Sequence, residues 1–366
     1  MIDLASGFTL LVSKKILGNK STYLIFLFMI PLVILSPNII IPYTDTITMW
    51  IPIAIFYFYL KIKDNDKLKY LYILIEGILL IGGYLLKPTC IIIGIAIILT
   101  ELLYCNIKKE NILKLTKKLL IYLIVFLLGI SFIYSTFDYF KKKNISQYIT
   151  DEEFENNSVT ATHFLMMGMQ ESLTEDNKGK NNILFGAYNG EDVANTKKLK
   201  GKKEKQKYNI EIVKQRLQDF GFFGYIKFVY NKMMWILSDG TFYYGAEGTF
   251  FVTEPYNQSR IGKFMQSFFD IESDKYQLIT VNIIQITWVT LMIGIIYVYK
   301  NIEKNLDILK FSIIGIILFI IIFEGRSRYL YNYIPIFIIV GTVGIKNIIK
   351  GLDKESKKWK KRKYHL

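Results

Sequence analysis

The 366-residue chain has little that covalent or metal chemistry could hold together, with two cysteines and two histidines. Cys90 and Cys105 stand at opposite ends of one apolar stretch, too far apart for a disulfide. His163 lies in a polar region and His365 in a basic tail, and a lone histidine is more often packed or hydrogen-bonded than a metal ligand. No CxxC, HExxH or GxxxxGK(S/T) motif occurs, so the familiar redox, zinc-hydrolase and phosphate-loop chemistries find no support. The opening MIDLASGFTL has neither the basic start nor the small-residue cleavage site of a secretory leader. It reads as the tail of a longer helix. Negative charge is also short: 31 acidic residues face 46 basic ones, a net charge of +15.

What the chain has is grease, with 52% hydrophobic and 15% aromatic residues and a mean hydropathy of +0.28. So much charge and so much apolar surface fit one molecule only when they are segregated, as a bilayer segregates them. Apolar stretches at 22–42, 48–60, 70–86, 88–105, 119–138, 279–299, 308–323 and 330–346 predict an all-α polytopic membrane protein of about eight spans. Lys14, Lys15 and Lys20, KIKDNDKLK at 61–69, IKKENILKLTKK at 107–118, the loop around Lys304 and the tail KKWKKRK then share one side. By the positive-inside rule that side is the cytoplasm. These basic clusters follow membrane topology, and nucleic acid is not an expected partner.

The organisation that follows has membrane spans over 1–138, an extracytoplasmic loop domain of mixed structure over 139–278, spans over 279–349, and a basic cytoplasmic tail over 350–366. A stretch as long as 139–278 is a domain rather than a loop. Within it, TKKLKGKKEKQK at 196–207 has no apolar face and reads as a solvated excursion. NIEIVKQRLQDF carries helical spacing and ends at a GFFG break. The following YIKFVYNKMMWIL, with Lys227 and Lys232, suits either a helix in the membrane interface or one packed on the spans.

The outward loops place isolated polar groups beside apolar spans. Asp45 in YTDT either caps the next helix or serves a site, and Lys87 in LLKPT either snorkels or does the same. Glu324, Arg326 and Arg328 in FEGRSRYLYNYIP sit between two apolar runs, where charge is costly unless paired. Two guanidiniums there form the planar fork that binds phosphate or diphosphate, with Glu324 positioning one of them; the alternative is a structural ion pair. Cations for a departing phosphate, a carboxylate for an incoming hydroxyl and a groove for a lipid are the parts needed to move a sugar from a polyprenyl phosphate.

The order of YTDT, GGYLLKPT, ATHFLMMGM, GAYNGEDV, MWILSDGTF and FEGRSRYLYNYIP, from about Tyr43 to Pro335, resembles a family of Gram-positive integral membrane proteins. That family is related to the protein mannosyltransferase-like glycosyltransferases of the C-type (GT-C) fold. The resemblance implies an inverting hexosyl or pentosyl transferase of the cell envelope, using a polyprenyl-phosphate sugar donor at the outer face of the cell membrane. The acceptor it implies is an envelope polymer, a lipid or a protein. It implies Asp45 as the catalytic acidic residue, with room for a divalent cation (Mg or Mn). Lys87, Arg326 and Arg328, with Glu324, become lipid-phosphate contacts, and His163, Glu191, Asp192 and Asp239 shape the acceptor side. In that fold the catalytic carboxylate sits in the first outer loop after the first span. The chain opens at MIDLASGFTL with no span and no acidic first loop ahead of the run 22–42, so the resemblance matches Asp45 to the second acidic position and leaves the usual base unmatched. A flippase or exporter of lipid-linked saccharide, and an inactive accessory subunit, are the competing expectations.

Overall fold

The structure is a computed structural model that describes residues 1–19, 22–64, 67–108, 112–144, 147–157, 159–175, 181–244, 259–299 and 301–363. His365 lies outside the described residues. Along the chain run α1 (Ile2–Leu17), α2 (Thr22–Met29), α3 (Thr44–Thr48), α4 (Trp50–Asp64), α5 (Lys69–Leu86), α6 (Ile91–Lys108) and α7 (Ile112–Asn144). Then come α8 (Asp151–Asn157), α9 (Ala161–Met167), an antiparallel hairpin of β1 (Glu171–Glu175) and β2 (Asn181–Phe185), α10 (Gly190–Lys197) and α11 (Lys202–Leu237). The chain continues through α12 (Arg260–Gln266), α13 (Val281–Tyr297), α14 (Lys304–Ile322) and α15 (Ile334–Lys363).

Among the described residues, six helical stretches are long and apolar enough to cross a membrane: Thr44–Asp64, Lys69–Leu86, Pro88–Cys105, Tyr276–Tyr297, Lys304–Ile322 and Ser327–Leu352. Six of the eight expected runs are therefore found among the described residues as helices of spanning length. The run 22–42 does not continue as one helix, because Pro31 falls in a π-turn at Ile30–Ile34 and Pro37 opens a 3-10 turn. A proline removes an N–H from the ladder and clashes with the preceding turn. The run 119–138 lies within α7, which is not among the six.

The chain divides into two compact units. The first comprises 1–125, 240–316 and 330–366; the second comprises 126–239 and 317–329. In the first unit α4 is the inner helix, burying Ile51, Ile53, Ile55 and Phe56 among its neighbours, while α5 leaves Leu71, Leu74, Ile78 and Leu85 exposed. Outward apolar side chains on helices of spanning length are what a lipid environment accepts. α13 and α15 meet at glycines: a Cβ on Gly344 would lie 1.7 Å from the Gly294 carbonyl oxygen, and one on Gly294 would lie 2.2 Å from that of Gly341. Absence of side chains lets the backbones touch, the usual device of helix pairs in membranes.

In the second unit α11 is the organising helix. It kinks at Gly221, whose φ of 58° is left-handed, so the GFFG break holds. The run 196–207 keeps most of its residues exposed, as expected, but it is helical from Lys202 and buries Thr196 and Lys205. Lys205 and Asn209 are buried with Val213 at four-residue spacing, and the Lys205 ammonium donates to the Asn156 carbonyl. A polar inner face replaces the apolar one that would have announced a helix. Cys90 and Cys105 are both buried thiols.

Candidate functional site

The turn after α14 is held by backbone before any side chain acts. The Glu324 N–H donates to the Phe164 carbonyl at 2.7 Å and the Gly325 N–H to the Gly186 carbonyl at 2.9 Å. Gly168 and Gly186 allow this closeness. A Cβ on Gly168 would sit 2.4 Å from the Phe323 carbonyl carbon, and Gly186 adopts a φ of +63°. Into the same place α11 delivers Lys232, which is 0% exposed. Its ammonium donates to the carbonyls of Gly168 (2.8 Å), Phe323 (2.7 Å) and Ile321 (3.1 Å). Ile321 and Phe323 end α14, and a cation there meets the negative pole of the helix. Burial pulls the Lys232 pKa down to about 7, against the nearby Glu324 carboxylate. Lys232 is thus an interior group rather than an interfacial one. Its i, i+4 spacing with Phe228 and Ile236 was the available signal.

Glu324 is 6% exposed, and the Tyr329 hydroxyl donates to its Oε1 at 3.3 Å. Burial pushes its carboxyl above the ordinary range, while Arg326, Tyr329, Arg328 and Lys232 pull the other way. Arg326 and Arg328 are half-buried, and the Arg328 guanidinium stands 5.5 Å from the Tyr329 ring centroid. Ser327 donates to Asp239 Oδ2 at 2.6 Å. Asp239 therefore belongs to this turn. Three basic side chains (Lys232, Arg326, Arg328) act on Glu324 here, and Asp239 accepts from Ser327 of the same turn.

The other expected acceptor-side residues lie elsewhere in the same unit. His163 is buried, and its Nδ1 is 3.0 Å from Thr196 Oγ1, which itself donates to Asn209 Oδ1 at 3.1 Å. With the threonine proton used on Asn209, the network assigns the hydrogen to His163 Nδ1. Burial lowers the His163 pKa; Asp192 opposes this and Lys205 adds to it. Asp192 forms a two-pronged pair with Arg216 (2.7 and 3.0 Å), and Arg216 also donates to the Met166 carbonyl. Glu191 is exposed on the first turn of α10. Arg216, Lys232, Ser327 and Tyr329 are the partners that sequence reasoning missed.

In the first unit, Asp45 and Lys87 form a salt bridge and are 2% and 9% exposed. Asp45 lies in the first turn of α3, where Tyr43 is the N-cap, so it is not the cap; Lys87 closes α5 and does not snorkel. The turn that carries Lys87 is pinned by the fully buried Asn332, whose amide donates to Thr89 Oγ1 at 2.9 Å, and by Tyr333, whose hydroxyl donates to the Thr89 carbonyl at 2.9 Å. The same unit holds an apolar groove of about 900 Å³, lined by Leu27, Pro31, Phe264, Phe268, Ile283 and Ile345 among others. Among the described residues no group of three or more His, Cys, Asp or Glu side chains gathers to hold a metal ion. Asp45 has a lysine beside it, where Mg or Mn would want further oxygen donors.

A family model described as a conserved hypothetical integral membrane protein matches residues 1–349. No curated protein and no solved structure matches the chain.

Proposed function

The chain belongs to that integral membrane family, and from this premise we propose that it is a cell-envelope glycosyltransferase that moves a sugar from a polyprenyl phosphate to an acceptor at the outer face of the membrane. The observation that carries the reading is the turn at 324–328. Two half-buried guanidiniums stand on a backbone held by Lys232 through the Phe323 carbonyl. Such a fork favours a phosphate oxygen over a neutral group, and a departing phosphate gains most from it as charge develops. The apolar groove of the first unit supports a long-chain lipid substrate, since its volume lies at the upper end of small-ligand sites.

The polyprenyl phosphate would be held by Arg326 and Arg328, with Glu324 fixing the fork through Tyr329. Asp45, salt-bridged to Lys87 within the first unit, is the residue that the resemblance implies as the catalytic carboxylate. With 119–138 counted as a further span, the positive-inside rule would put the basic tail in the cytoplasm and the 324–328 turn outside. A transporter of lipid-linked saccharide is the second reading, and Glu76, buried midway along α5, is the observation that favours it.

Transfer of radiolabelled sugar from polyprenyl-phosphate donors to membrane acceptors decides between them. The Arg326→Ala/Arg328→Ala chain should lose transfer by about 100-fold or more, at a cost of roughly 1.5–3 kcal/mol for each charged hydrogen bond. Asp45→Asn should lose it while donor binding persists. Full transfer by the folded double variant would sink the reading. Donor accumulating on the inner leaflet when Glu76→Gln replaces the native chain would favour transport.

A further inference from the structure

The half of α11 after the Gly221 kink has two faces of opposite character. At 100° per residue, Phe222, Phe223, Ile226, Tyr230 and Met234 fall within an arc of about 120°. They are 75%, 82%, 52%, 61% and 52% exposed. Phe228, Lys232 and Ile236 lie on the far side and are buried. The half before the kink is quite different, exposing Lys203, Lys207, Glu211, Lys214 and Asp219. An aromatic stripe this exposed is not surface noise; contiguous apolar patches mark an interaction site.

Where the stripe sits follows from its back. Lys232 bonds the carbonyls of Ile321 and Phe323, and Met233, Ile236 and Leu237 line one small crevice together with Ile317, Ile320 and Ile321. Those are the last turns of Lys304–Ile322, a stretch of spanning length and composition. A helix tied by its buried face to the end of a span is held at the depth where hydrocarbon gives way to headgroups. Exposed Lys227 flanks the arc, and its stem is long enough to carry the ammonium to lipid phosphates. Aromatic rings with a lysine at their edge are the composition that prefers this boundary.

We propose that the face formed by Phe222, Phe223, Ile226, Tyr230 and Met234 docks into the headgroup and acyl boundary of the bilayer, with Lys227 on anionic lipid phosphate. The occupant is the lipid surface itself. This does not depend on the transferase reading.

The test uses the native chain in nanodiscs of phosphatidylcholine and phosphatidylglycerol, exposed to a membrane-partitioning carbene photolabel and mapped by mass spectrometry. Residues 222–234 should label as strongly as Tyr276–Tyr297, and 203–219 should stay clean. Labelled spans with an unlabelled 222–234 would overturn the proposal. A nitroxide on Phe223→Cys, in a Cys90→Ala/Cys105→Ala background, should be reached by oxygen at least 5-fold more readily than by a water-soluble nickel chelate. Lys214→Cys should show the reverse. Equal nickel access at both positions, or a Phe223→Cys chain that crosslinks fully to a second copy, would contradict docking on lipid.

Discussion

Replacing Lys232 by methionine leaves the carbonyls of Gly168, Ile321 and Phe323 without their ammonium donor in an interior that excludes water. An unsatisfied buried acceptor costs about 1–3 kcal/mol, so Lys232→Met should lower stability by about 3 kcal/mol or more, read as a drop in thermal midpoint in detergent. Lys232→Arg should not restore it, because a Cβ on Gly186 would already come within 2.5 Å of the lysine Cε, and a guanidinium has no more room. An unchanged midpoint in the methionine variant would show that the carbonyls have other partners. His163 gives the second residue-scale prediction. Its folded pKa lies below the ordinary value of about 6.5, so below that pH the unfolded chain takes up more protons than the folded one. Its contribution to stability is therefore complete above about 6.5 and is lost as pH falls. Glu324, pushed up by burial, acts in the opposite sense, stabilising at low pH and ceasing to do so as pH rises through its folded value. The difference between the native chain and His163→Asn isolates the histidine: between pH 7.5 and 5.5 the native midpoint should fall more steeply.

At the scale of elements, the contact of α13 with α15 rests on Gly294, Gly341 and Gly344, whose missing side chains let backbone meet backbone. Gly344→Leu should force the helices apart, at a cost above the ~1–3 kcal/mol typical of overpacked cores. Because Ile283 and Ile345 both line the apolar groove, the same change should reshape it, measurable as weaker retention of co-purified lipid. A native midpoint and native lipid content would mean that the helices tolerate separation. Elements were legible in the sequence where hydropathy alone decides them, as in 70–86 and 308–323. They were illegible where something local overrides it. Pro31 and Pro37 break 22–42 despite its hydropathy, and Lys205 and Asn209 form a buried polar face that periodicity cannot announce.

For the whole molecule, the segregation of charge from grease is what the sequence states most clearly, and membership of an integral membrane family agrees with it. The candidate site was legible in part. FEGRSR stood out because charge between apolar runs is costly, and the structure gives Glu324 three cations. Asp239 and Lys232 reach that turn through contacts separated by 88 to 91 residues, which no local pattern encodes. Asp192 was legible as a polar residue, but its pairing with Arg216 on α11 was not.

The transferase proposal stands or falls with binding of lipid-linked phosphate at the 324–328 turn. Equilibrium binding of a polyprenyl phosphate and of the matching polyprenol, to the native chain and to Arg326→Ala/Arg328→Ala, tests it most directly. The native chain should prefer the phosphate by about 100-fold and the double variant should bind both alike, as expected when two charged hydrogen bonds are lost. A double variant that keeps the native preference would contradict it.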